Sequence, residues 1–174
     1  FAQSIAYYAL ALDNTKGIRK PPLSKIYQGM GLSWLYLDNL ENAKKYLLRS
    51  LDASRFPETV NDSITRSNAY LKMAGIERSE DNFGLAQIYQ KKAIEALPKH
   101  NQYRKQKQVT YHETGRTYAR YHETMKALHA YQQAIMFSCW NFSDTSFFAN
   151  PLIQDVLLKD ETLIECLTNK AYAI

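Results

Sequence analysis

The side chains best suited to nucleophilic or metal chemistry are two cysteines and four histidines, and their spacing fits neither task. A cysteine nucleophile needs a base within hydrogen-bond reach and a third group to orient that base. Cys139 and Cys166 have His112 or His129 as candidate bases but nothing to orient either. Their neighbours Trp140 and Leu167 suit packed thiols instead. His100, His112, His122 and His129 include no pair at i and i+4, the spacing that sets two imidazoles on one helix face. The cysteines match neither a disulfide framework nor a four-ligand zinc site. The sequence therefore predicts no catalytic residue, no metal and no cofactor.

Cations offer a second kind of chemistry, the bidentate recognition of carboxylate or phosphate by arginine. Residues 1–139 hold 20 Lys and Arg against 12 Asp and Glu, whereas residues 140–174 hold 2 against 5. The excess is densest at Lys91, Lys92, Lys99, Arg104, Lys105 and Lys107, where only Glu95 opposes it. Such a block draws acidic partners, nucleic acid included, or forms a solvated helix face.

With 174 residues, 45% of them hydrophobic and only 6 Gly and 5 Pro, the chain reads as one soluble domain, residues 1–174, built of long helices. No apolar run suits a membrane span, the opening residues do not form a signal peptide, and the paired-cysteine patterns of secreted proteins are absent. A cytoplasmic setting is expected, and the two Asn-x-Ser sequons, at Asn61 and Asn141, carry no weight. The start at Phe1 and the apolar ending read as the cut edges of a longer protein.

The elements that would position these groups come from an internal repeat. Gly31, Ala74 and Gly115 are equivalent small residues. Four positions before them stand Tyr27, Tyr70 and Tyr111; twelve after, Ala43, Ala86 and Ala127; nineteen after, Ser50, Ala93 and Ala134. At +3 stand Trp34, Glu77 and Tyr118, and at +16 Leu47, Gln90 and Tyr131, so the middle copy departs twice. Tyr27, Gly31 and Trp34 share one face of a first helix, and Ala43, Leu47 and Ser50 one face of a second. Recurrent small residues let the two backbones approach closely. Prolines at 21–22, 57 and 151 suit helix starts, Pro98 ends a helix, and Asp38-Asn39, Asp81-Asn82 and Thr124 stand where second helices need N-caps. Helices are predicted near 2–13, 22–37, 40–54, 58–79, 83–97, 102–121, 125–138, 151–158 and 161–174. They group as a partial hairpin (1–15), repeats at about 21–56, 57–98 and 99–138, and terminal helices (150–174).

This pattern resembles the tetratricopeptide repeat, best in residues 111–134, with Pro98 at the family's closing proline. The steps of 43 and 41 residues exceed the usual length of about 34. The resemblance implies an all-α solenoid of antiparallel hairpins wound as a right-handed superhelix, whose first helices face a concave groove. The tail, with Cys139-Trp140-Asn141-Phe142, Asn150-Pro151 and Leu163 to Leu167, is similar to the segment that follows a block of repeats in bacterial CHAT proteins, which resemble caspases. That likeness implies the regulatory arm of a protein whose protease domain lies elsewhere.

Residues offset from the packing stripe would line the groove: Lys25, Gln28 and Tyr36, then Asn68, Leu71 and Arg78, then His112, Arg116 and Arg120. Leu32, Val109 and Glu113 stand where a carboxylate clamp of the chaperone-binding kind would need polar or basic groups. The function expected is that of a non-catalytic scaffold holding a partner peptide, or an adjacent domain of its own parent chain. The alternative is a nucleic-acid surface on the Lys91–Lys107 block. Open faces at the solenoid ends, with Ile5, Tyr8 and Leu12 at one and Leu163, Leu167, Ala171 and Ile174 at the other, would favour self-association.

Overall fold

The computed structural model describes residues 1–18, 21–56, 59–99, 103–152 and 161–173. Among these it holds eight helices and no strand: α1 (Ala2–Asp13), α2 (Leu23–Tyr36), α3 (Leu40–Ala53), α4 (Val60–Ser79), α5 (Phe83–Glu95), α6 (Arg104–Arg120), α7 (Thr124–Ser138) and α8 (Glu161–Tyr172). No helix of the described residues is long and apolar enough to cross a membrane. The chain divides into two compact units, Phe1–Pro98 and Lys99–Ile174. Most of the helix expected at 151–158 lies outside the described residues, and Pro151 and Leu152 are not helical.

Three hairpins, α2–α3, α4–α5 and α6–α7, are closed by one and the same turn. Asp38, Asp81 and His122, each seven residues after the equivalent small residue, take φ values of 56°, 57° and 59°. The amides that follow complete the pattern: Asn39 N donates to Trp34 O at 3.0 Å, Asn82 N to Glu77 O at 2.8 Å and Glu123 N to Tyr118 O at 2.9 Å. This is a Schellman ending, in which a left-handed residue returns the next amide to an orphan carbonyl of the last helical turn. Glycine usually fills that position; Asp and His tolerate it at some cost. The Asp residues expected to cap second helices thus end first helices instead. Asn39 does cap α3, accepting from Asn42 N at 3.0 Å. Thr124 is the first residue of α7 rather than its N-cap, which is Glu123.

Within each hairpin the helices meet at the small residues. A Cβ at Gly31 would lie 2.9 Å from Leu47 Cγ and 3.2 Å from the Leu47 amide nitrogen, and one at Gly115 would lie 2.5 Å from the ring of Tyr131. Toward the other end of the hairpin a serine joins the same helices. Ser50 Oγ of α3 donates to Ser24 O of α2 at 2.7 Å, and in the next copy Ser67 Oγ of α4 donates to Ala93 O of α5 at 2.9 Å. Ser24 and Ser67 are equivalent, as are Ser50 and Ala93, so one crossing is bonded in opposite directions in the two copies.

In the first unit, α3 and α4 carry most of the core: Ala43, Leu47 and Leu51 pack with Ala69, Tyr70, Leu71, Met73 and Ile76, and Ala93 of α5 joins them. Leu71, expected in the groove, belongs to this core because its side of α4 is covered. The first unit extends to α1, where the Tyr8 ring fills the notch left by Gly29 of α2. Tyr8 is therefore part of a helix interface, and the exposed apolar groups of α1 are Tyr7 (71%) and Leu10 (58%).

In the second unit α8 packs on α7 and α6. Leu163 and Cys166 join Ala134, Ile135 and Cys139 in one cluster, with Leu167 against it, so Leu163 and Leu167 form no open face. Both cysteines are buried free thiols. Among the described residues no group of three or more His, Cys, Asp or Glu is placed to hold a metal ion. Lys170 is 2% exposed, and its ammonium donates to Gln132 Oε1 (2.6 Å), Ala149 O (2.6 Å) and Asn150 Oδ1 (3.0 Å). Burial pulls its pKa below the ordinary lysine value, with the charge of Asp144 pulling the other way. This knot pins the irregular 139–152 segment to α7 and α8.

The glycine crossings make a prediction of sign. Gly115→Ala forces the Tyr131 ring aside and should destabilise the chain by roughly 1–3 kcal/mol, despite the better helix propensity of alanine. At Gly75 of α4 a Cβ meets nothing within 4 Å. There the same change should stabilise by about 0.5–1 kcal/mol. Urea denaturation of the two variants checks the opposite signs.

Candidate functional site

The groove expected from the sequence divides between the two units, and each part stands by itself. In the first unit α2 and α4 lie side by side. Gln28 Nε2 donates to Thr65 O at 2.9 Å, which makes Gln28 a tie between these helices. Lys25 is exposed, on the rim of an open hollow of about 490 Å³ between the starts of α2 and α4. Tyr36 is exposed at 68%, with its ring stacked on Phe1 at 4.4 Å. Asn68 and Arg78 are half-buried on α4.

In the second unit one expected groove residue is displaced. His112 is 3% exposed, with Nε2 3.1 Å from Asn169 Nδ2 and its ring tilted against Tyr131 at 6.0 Å. Glu165 of α8 stands 3.9 Å from its Nδ1. His112 is an interior residue because α8 packs against this side of α6, a contact that no pattern local to α6 could announce. Arg116 is exposed and paired with Glu113 on its own helix at 3.0 Å; Arg120 is exposed.

The basic block breaks up in a similar way. Lys91 and Lys92 stand exposed on α5 in the first unit, and the other four belong to the second. Arg104 is no free cation. Its guanidinium donates to Met136 O (2.6 Å), Cys139 O (2.7 Å) and Phe137 O (3.2 Å), and it lies 4.8 Å from the Trp140 ring. It thus satisfies the orphan carbonyls at the end of α7, which otherwise need water or a cap. Lys107 Nζ donates to Lys99 O at 3.0 Å and Lys105 Nζ to Thr162 Oγ1 at 3.3 Å.

Two arrangements escaped the sequence reading. The first explains why the middle copy departs at Glu77. This carboxylate, 5% exposed, takes an ion pair from Lys44 of α3 at 2.9 Å and a hydrogen bond from Asn82 Nδ2 at 3.0 Å, while Lys44 also meets Glu80 at 2.6 Å. The aromatic slot of the other copies is filled here by a polar tie between successive hairpins. Burial pulls the Lys44 ammonium down, but the hydrogen bonds it donates to Glu80 and Glu77, with their negative charges, outweigh it and hold the pKa above the ordinary 10.5. A carboxylate at an offset that is aromatic in the other two copies was the available signal.

The second is a set of paired tyrosines beneath cations. Tyr27 stacks with Tyr46 and Tyr70 with Tyr89, with Arg49 over the first pair and Lys92 over the second. Tyr27 and Tyr70 belong to the packing stripe of the repeat. Only Tyr70 of these four is buried.

No protein-family model, curated protein or solved structure matches the chain.

The Lys44 cluster sets a pH dependence. Because its folded pKa is raised, the stabilisation is complete below pH 10.5 and is lost as pH rises through the higher folded value. Lys44→Met strands a buried carboxylate and should cost roughly 2 kcal/mol near neutrality. The difference between wild type and variant should shrink above pH 10.5, as followed by denaturant titration at several pH values.

Proposed function

We propose that the chain is a non-catalytic helical-repeat scaffold of the tetratricopeptide kind, a solenoid of hairpins that holds an extended segment of a protein partner. One observation carries this reading: three successive hairpins share a turn, with Asp38, Asp81 and His122 at the same offset and the same left-handed backbone. Such repetition is the mark of architectures in which neighbouring units stack and present long binding surfaces. The surface proposed is the side of α2 and α4 that carries Lys25, Tyr36 and Arg78. An aromatic ring and cations there suit a peptide with acidic groups.

The tail resemblance extends the reading. If the parent protein is of the CHAT kind, the segment held belongs to a protease domain of the same chain, and the scaffold positions it. The nucleic-acid reading loses support, since Arg104 spends its guanidinium on the end of α7 and Lys107 donates to a backbone carbonyl.

The test is site-specific photo-crosslinking. A benzophenone side chain at Lys25 or Arg78 should give adducts that map to one extended segment of a partner, whereas the same group at exposed Met125 of α7 should give none above background. Equal labelling from all three positions would refute the proposed face.

A further inference from the structure

A second surface repeats through the first unit with the same step as its packing. Tyr27 and Tyr46 stack with centroids 6.4 Å apart, and Tyr70 and Tyr89 at 6.2 Å, with interplanar angles of 29° and 27°. The Arg49 guanidinium lies 5.9 Å and 5.5 Å from the first two centroids, and Lys92 Nζ 5.8 Å and 6.0 Å from the second two. Each member stands 43 residues from its counterpart.

Hairpin packing does not demand this triplet. At the matching offsets the third hairpin has Ala130 and Gln133 in place of the second tyrosine and the cation, and it folds with the same turn and the same crossing. The triplets therefore need an explanation other than stability. Arg49 and Lys92 are exposed, and neither forms an ion pair with a carboxylate among the described residues. Each positive charge is held over π-faces, which keep its position while leaving its hydrogen-bond donors for a ligand.

Around the second triplet the surface is hollow. Two open hollows of about 550 Å³ and 360 Å³ share Arg66, Tyr70 and Lys92. Arg66 is committed to the fold: its Nη2 donates to Tyr70 Oη at 2.8 Å and its Nη1 to the carbonyls of Leu51 and Ser54 that end α3. Leu48 and Leu51 of α3, with Leu97 beyond α5, add apolar wall. Of the acids in the lining, Asp52 is paired with Arg55 at 2.7 Å, and Glu95 lines the larger hollow beside Lys92.

We propose that this edge of residues 21–98 docks an acidic, extended segment of a protein partner, whose carboxylates meet Arg49 and Lys92 and whose apolar atoms lie on the tyrosine pairs. The charge pattern selects the occupant. Two cations on successive hairpins, each over tyrosine rings and one beside a leucine wall, fit spaced carboxylates on a peptide. A nucleic-acid strand, with a phosphate on every residue, would set charges beside Asp52 and Glu95 as well. The surface uses none of the residues assigned to the α2–α4 face, so the two proposals stand or fall separately.

A fluorescein-labelled peptide repeating Glu-Leu-Ser, followed by anisotropy at low salt, is the probe. Saturable binding is expected, with the matching Gln-Leu-Ser repeat inert. Arg49→Gln and Lys92→Gln should each weaken it by roughly threefold, the range of exposed ion pairs, and the double variant by about tenfold. Lys25→Gln, on the other face, should leave it unchanged. Both substituted side chains are exposed, and mapping of the NMR shifts that the peptide induces on the unaltered chain gives a readout independent of variant folding. Absence of saturable binding, unchanged affinity in the double variant, or shifts centred on Lys25 would overturn the proposal. So would a single-stranded oligonucleotide that displaces the peptide at lower concentration, which would mark a nucleic-acid surface.

Discussion

Where a glycine of one helix faces a large side chain of the next, the two backbones approach to a distance that any larger residue would forbid, and this crossing governs the hairpins. Leu47 occupies the space of an absent Cβ at Gly31, and Tyr131 does so at Gly115. Interiors pack so closely that one methyl group there is felt. The crossing also brings helix backbones near enough for Ser50 and Ser67 to reach carbonyls of the facing helix, and these bonds fix the axial register of the first two hairpins. The turns must then join helices already locked in register. That constraint accounts for the same left-handed residue at Asp38, Asp81 and His122, where no glycine is present to ease it.

The interior so formed is unusually polar, and the polar groups are satisfied locally. On α6, Thr110, Thr114 and Thr117 are buried with hydroxyls bonded four residues back, to Gln106, Glu113 and Thr110 carbonyls among them. Such bonds cancel the desolvation cost of a hydroxyl without a partner on another helix. Glu77 and Lys170 are costlier guests, since a buried charge is tolerated only with full coordination. Lys44 and Asn82 hold the first group, and three oxygen acceptors surround the second. Both sit where one structural segment must be held against another, between successive hairpins or between the 139–152 segment and its helices.

A basic chain can spend its cations in two ways, and this one does both. Arg66 and Arg104 end helices by taking up their last carbonyls. Arg49 and Lys92 lie over tyrosine rings with no carboxylate partner among the described residues, and Lys25 stands exposed at a hollow. Net charge alone does not separate these uses. The distinction depends on whether a carbonyl lies within reach, and only the second group is free to engage a partner.

The spacing of Tyr27, Gly31 and Trp34, and of Ala43, Leu47 and Ser50, determined that the chain folds as helical hairpins and nearly where each helix runs, because a packing face must recur every three or four residues along its own helix. Cys139 and Cys166 were likewise legible as packed thiols from their apolar neighbours. Other features depended on contacts between segments distant in sequence. Nothing in the residues around His112 says that Asn169, 57 residues on, closes over it, and nothing near Arg104 names the carbonyls more than 30 residues away that claim it. The pairs Asp38-Asn39 and Asp81-Asn82 were legible as cap sites, and Asn39 and Asn82 are the N-caps; that the Asp of each pair is the left-handed ending of the helix before was not, because Asp serves either role and only the backbone angle tells them apart. Local periodicity fixes which face of a helix is buried; which partner buries it, and which charges are left over for binding, is decided when the helices meet.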